Sequence, residues 1–101
     1  MFAQTPKPPY TAVIFTSTLS DDIEGYGEAA HEMERLAQLQ DGYLGIESAR
    51  DELGITVSYW RDERCAQKWK LQLEHAAVQR IGAKRWYGGY RVRIATVERD
   101  Y

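Results

Sequence analysis

His75 is the side chain of this chain best placed to do chemistry. It sits in the stretch QKWKLQLEHAAVQ, about 120° around a helix from Trp69, at the edge of an apolar face. A neutral imidazole there can serve as a base, a proton shuttle or a haem ligand. The same position equally suits a boundary histidine satisfied by a backbone carbonyl or by water. His31, set among glutamates, reads as a solvated residue. Trp60, Trp69, Trp86, Tyr59, Tyr87 and Tyr90 gather around the same helix. Trp69 is central to the apolar stripe, so core packing is its default role, while Trp60 and Trp86, at strand ends, are better placed to line a rim. Such aromatic walls suit a flat aromatic ligand, and they also suit an ordinary dimer interface. Gln79 closes the helix with a polar tip beside the apolar face. Arg91 and Arg93 share a strand face and can hold a phenolate, a carboxylate or an enolate. Pairing with Glu47 or Glu98 on neighbouring strands is their competing use.

Other chemistries are absent from the pattern. Two separated histidines and one cysteine make no zinc-spaced cluster, so no metal site is expected. Gly88-Gly89 precedes a strand and therefore is no phosphate loop. Cys65 lies on an apolar helix face, which suits an inert thiol, and it rules out an intramolecular disulfide. A net charge of −2 argues against nucleic acid. The charge is uneven: Ser20 to Gly54 holds ten acids and two bases, and Arg61 to Arg99 holds four acids and ten bases. Each half having its own solvated face accounts for that. No run approaches a membrane span, and MFAQTPKPPY lacks the regions of a signal peptide, so a cytoplasmic protein is expected.

The elements that must position these groups can be read from periodicity. YTAVIFTS (Tyr10 to Ser17) is β-branched and aromatic, a first strand. Asp21 and Glu24 have capping-box spacing, and Ile23, Tyr26, Ala30, Met33 and Ala37 recur at helical steps until Asp41-Gly42 stops them. Tyr43 to Arg50 and Ile55 to Trp60 read as a hairpin, with Gly54 supplying turn freedom. In the latter strand Ile55, Val57 and Tyr59 oppose Thr56, Ser58 and Trp60. Asp62 caps a second helix reaching about Arg80, with Gly82 ending it. Trp86 to Glu98 is the last strand, with a bulge at Gly88-Gly89.

The order β-α-β-β-α-β predicts an α+β, ferredoxin-like domain over residues 10–101, preceded by an extended lead-in over residues 1–9. Helices would cover one face of a four-stranded antiparallel sheet. The other face is apolar enough to call for a second copy, so a homodimer is expected.

These segments resemble the antibiotic-biosynthesis-monooxygenase domain family. The resemblance runs from Tyr10 to Tyr101 and rests on DGYLGIES, SYWRDE, the W-K…E-H…Q helix and the closing WY…YRVR…VER. It implies a dimeric α+β barrel. It also implies, as in some relatives, oxidation of a small aromatic substrate by dioxygen without metal or flavin. In that expectation His75 moves the proton and Arg93 steadies the anion. Trp60, Trp69, Tyr59, Tyr90 and Gln79 shape the substrate cavity. The alternative is a non-catalytic member of the same fold that binds a small apolar molecule. Other relatives bind and degrade haem, and Trp69 and His75 resemble their pair. This chain contains no asparagine, which those relatives use, so haem is the lesser expectation.

Overall fold

Alternating β-branched residues and two amphipathic stretches give six elements in the computed structural model, which describes residues 2–20, 25–79 and 87–101. For 76–79 and 87 only the backbone is described. The elements are β1 (Tyr10–Leu19), α1 (Tyr26–Gln38), β2 (Tyr43–Arg50), β3 (Leu53–Trp60), α2 (Glu63–Gln79) and β4 (Tyr87–Val97). The sheet is fully antiparallel in the order β2-β3-β1-β4. Both helices lie on one face, as a ferredoxin-like β-α-β-β-α-β chain requires.

Local signals explain the boundaries. Asp62 Oδ1 accepts the Cys65 N–H at 2.9 Å, so the expected cap of α2 is formed. Gly42 takes φ +81°, and a Cβ there would also meet the Cys65 side chain, so glycine is required twice over. The Gly88-Gly89 bulge is present, the β1–β4 register shifting between Thr18 and Leu19. Gly54 differs from expectation. It is a buried β3 residue without positive φ, and the room it leaves is filled by the Arg50 guanidinium. The expected capping pair Asp21 and Glu24, with Ile23, Gly82 and Trp86, lies outside the described residues.

Packing follows residue parity. Val13, Trp60, Cys65, Ala66, Trp69 and Ala37 form the core between helices and sheet, with Met33, Leu36, Tyr43, Leu73, Val92 and Ile94 against it. Trp60 stacks on Trp69 with centroids 5.6 Å apart. Its indole N–H donates to Ser58 Oγ at 2.8 Å, so the one polar atom of the buried ring is satisfied.

The opposite sheet face carries Ala12, Ile14, Val57, Tyr59, Arg93 and Ala95, on which no helix packs. The lead-in crosses one end of that face. The Ala3 N–H donates to Glu47 Oε2 at 2.9 Å. Thr5 Oγ1 donates to the Tyr10 hydroxyl at 3.0 Å, which donates to Asp100 Oδ2 at 2.7 Å. Residues near both ends of the chain are thus fastened to β1.

Candidate functional site

Because paired residues share a sheet face, the register sorts the candidate residues into two groups. Tyr90 pairs with Ser17, Phe15 with Val92, and Val13 with Ile94. Val13 is core, so Tyr90, Phe15, Ser17, Val92 and Ile94 all lie on the helix side. Arg93 pairs with Ile14, and Tyr59 with Ala12, on the open side. The sheet therefore stands between Arg93 and α2, and a single copy of the chain does not bring Arg93 and His75 together.

The helix side holds a groove of about 420 Å³ along β4, lined by Gln67, Lys70 and Leu71 of α2 and by Val92 and Ile94. Lys70 Nζ and Glu74 Oε1 pair at 3.1 Å on its α2 wall. Tyr90 continues the Val92–Ile94 row and stacks on Phe15 with centroids 5.7 Å apart, yet remains 42% exposed. Leu71 is 62% exposed on the rim. His75 is exposed one turn beyond Leu71 and does not line the groove.

Trp60 and Trp69, expected to line a cavity, are 0% and 3% exposed and belong to the core. They form a rigid backing for the cleft, and a ligand cannot touch them without repacking. The side chain of Gln79 lies outside the described residues.

Tyr59 has a different assignment. Its hydroxyl donates to Glu47 Oε1 at 2.6 Å, and its ring meets Tyr10 edge-on at 5.7 Å. Burial and then the Glu47 carboxylate push its phenol up to about 12. The Tyr59 and Ala3 donors hold the Glu47 carboxyl below its ordinary value. Glu47 is thus engaged by Tyr59 and the lead-in, and β2 and β4 occupy opposite edges of the sheet. The expected pairing of Arg91 or Arg93 with Glu47 on a neighbouring strand is therefore not made. Cys65 accepts a contact from Arg61 Nη2 at 3.4 Å, and its thiol is raised by burial first, which agrees with an unreactive sulfur.

The sequence reading did not single out Arg50, Ser17 and Phe15, nor connect Tyr26 to them. Arg50, Gly54, Ser17 and Tyr90 form one row across all four strands on the helix side. The Arg50 side chain lies across Gly54. Nη1 donates to the Ser17 carbonyl at 3.2 Å and Nη2 to Ser17 Oγ. The guanidinium carbon is 5.5 Å from the Tyr26 ring centroid. The sequence signal for this cluster was a cation followed four residues later by a strand glycine, a pattern with many uses. Among the described residues, no group of His, Cys, Asp and Glu could hold a metal ion, and no helix is long and apolar enough to cross a membrane.

No protein-family model matches the chain. The uncharacterised protein YqjZ of Bacillus subtilis (strain 168) is 48% identical over 100 residues, covering 97% of this chain and 88% of its own. Among solved structures, SnoaB, a cofactor-independent oxygenase from Streptomyces nogalater, gives a TM-score of 0.72 at 11% identity, covering 92% of this chain and 97% of that one. A Nitrosomonas europaea protein provisionally assigned as an antibiotic biosynthesis monooxygenase gives 0.65 at 13% identity, over 97% and 96% of the two chains. At such identities the likeness to the solved structures is one of fold.

Proposed function

We propose that the chain, a relative of the uncharacterised protein YqjZ with the fold of SnoaB, belongs to the antibiotic-biosynthesis-monooxygenase domain family and is a cofactor-independent monooxygenase acting on a small aromatic substrate in the helix-side cleft. The observation that carries this reading is the exposed Tyr90 ring, stacked on Phe15 and continuous with the apolar Val92–Ile94 groove. A flat, electron-rich ring has a matching surface there. SnoaB, of the same fold, is a cofactor-independent oxygenase, which supports the same class of chemistry.

The reaction asks little covalent work of the protein. A deprotonated phenol is electron-rich enough to pass an electron to dioxygen. One oxygen atom then enters the substrate and the other leaves as water, the substrate supplying the electrons. The protein holds the ring, limits water and moves protons. His75, exposed to solvent one turn of α2 beyond the groove wall, is assigned the proton transfer. Arg93, on the far side of the sheet, has no access to this cleft within one copy. Its place is the open face, where a second copy is proposed to pack.

The test is oxygen uptake by metal-free protein with a panel of polyhydroxylated aromatics, wild type beside His75→Ala and Tyr90→Ala. Uptake that falls about 100-fold in His75→Ala, the usual weight of one acid–base group, supports the reading. Equal uptake in wild type and His75→Ala removes His75 from the mechanism. A second reading is a binding protein without turnover, favoured by the exposure of His75 at the helix surface, whereas a working base is ordinarily held in place by a third group. Saturable binding of the same aromatics without oxygen uptake would establish it.

A further inference from the structure

We propose that Arg50 is the anion-recognising group of the helix-side cleft, which therefore selects a planar aromatic molecule carrying an anionic oxygen beside its ring. This rests on the cleft being the binding site and names what it prefers.

Four observations place the guanidinium for that task. It lies on the helix side, in the same cross-strand row as Tyr90, with Ser17 bonded to Arg50 and paired with Tyr90. Ser17 and Tyr90 are partners on neighbouring strands, about 4.8 Å apart, so the group that holds the cation adjoins the Tyr90 position. It is held: Ser17 is 2% exposed and receives two of its donors, and the Tyr26 ring lies against it. A guanidinium has five N–H donors, so this anchoring leaves others for a ligand. It has been given room, because a Cβ at position 54 would run into it. Finally, among the described residues no carboxylate pairs with it, although Arg35 and Arg61 both have carboxylate partners.

A half-buried cation that no described carboxylate pairs with is costly to keep. Fixing it by a serine and an aromatic face, rather than by an acid, preserves its charge for an outside anion. A bidentate approach by carboxylate, or a single contact from a phenolate, would use the remaining donors while the ring rests on Tyr90. Arg91 and Arg93 offer no such arrangement. Both are exposed on the opposite face, and no described side chain fixes either.

The experiment compares equilibrium binding of 2-naphthoate with that of its neutral isostere 2-naphthamide, read by calorimetry. Wild type should prefer the carboxylate by about tenfold or more, the usual weight of a charge-assisted hydrogen bond. Arg50→Gln should lose that preference while still binding the amide. Arg50→Lys, which keeps charge but not the fork, should retain part of it. Ser17→Ala, which frees the guanidinium without removing it, should weaken it should Arg50→Gln fail to fold. Arg64→Gln, an equal loss of charge on the exposed start of α2, should retain the preference in full. A wild type that does not distinguish the two probes, or an Arg50→Gln that still does, overturns the proposal. Binding and turnover are read separately. Missing preference with intact oxygen uptake overturns Arg50 alone, and preference without uptake overturns the oxygenase reading alone.

Discussion

Trp60 shows what a single residue contributes here. Its ring is wholly buried, and its only polar atom is bonded to Ser58. Ser58→Ala is expected to cost about 1–3 kcal/mol, because the indole N–H is left without a partner. Trp69→Ala should cost about 3–5 kcal/mol through the cavity it opens beside Trp60. Urea denaturation checks both, and a loss near zero in either would remove the residue from the core. Tyr59 makes a prediction with a sign. Its phenol is raised to about 12 from an ordinary 10.0, so the folded state favours the protonated form. That contribution is complete below pH 10.0 and is lost as pH rises through the folded value. Glu47 runs the other way: its carboxyl is lowered, so its contribution holds at neutral pH and is lost as acid protonates it. An ultraviolet titration of wild type against Tyr59→Phe should show a phenol ionising at about 12 in the wild type that the variant lacks. A difference curve centred near pH 10.0 would contradict the bond to Glu47. At this scale the sequence was legible wherever parity was regular. Alternation put Arg91 and Arg93 on one strand face, as the register has them. The apolar stripe put Trp69 in the core, but nothing local said that Trp60 would stack on it rather than line a rim, since packing depth depends on partners distant in sequence.

At the scale of elements, β2 decides what the site contains. Its register shifts between Tyr43 and Gly45, which puts two residues of β2 against one step of β3. Strict alternation from Tyr43, on the core side, would send Arg50 to the open face. The shift turns the remainder of the strand over and brings Arg50 to the helix side. No residue type in YLGIESAR announces that shift, so the cluster of Arg50, Ser17 and Tyr90 could not be read before the strands were paired. The element order, the Asp62 cap and the Gly88 bulge were legible, because each depends on residues close in sequence. The lead-in is an element of a looser kind, tied by Ala3 to Glu47 and by Thr5 to Tyr10. Glu47→Gln should weaken the Ala3 tie, which carries charge assistance, and speed hydrogen exchange at Ala3 by about tenfold. Unchanged exchange would show that the segment is held by something else.

At the scale of the whole molecule, helices cover one sheet face, and among the described residues the other is covered only at one end. Ile14, Val57 and Ala95 lie on that open face, and Ile55 on it is 42% exposed. An apolar sheet face of this kind is an interface in waiting, and a second copy is its proposed cover. Light scattering should give twice the 11.6 kDa of the chain, and Val57→Asp should return it to the single-chain mass. A wild type that stays at the single-chain mass would contradict the dimer. Packing of that kind leaves the helix side free, so the account assigns ligand binding to one face and association to the other. Methyl-resolved nuclear magnetic resonance during titration with 2-naphthoate tests that division most directly. The account predicts shifts at the Val92 and Ile94 methyls, with Ile55 and Val57 unmoved. Shifts confined to Ile55 and Val57 would contradict it, and would put the site on the open face beside Arg93.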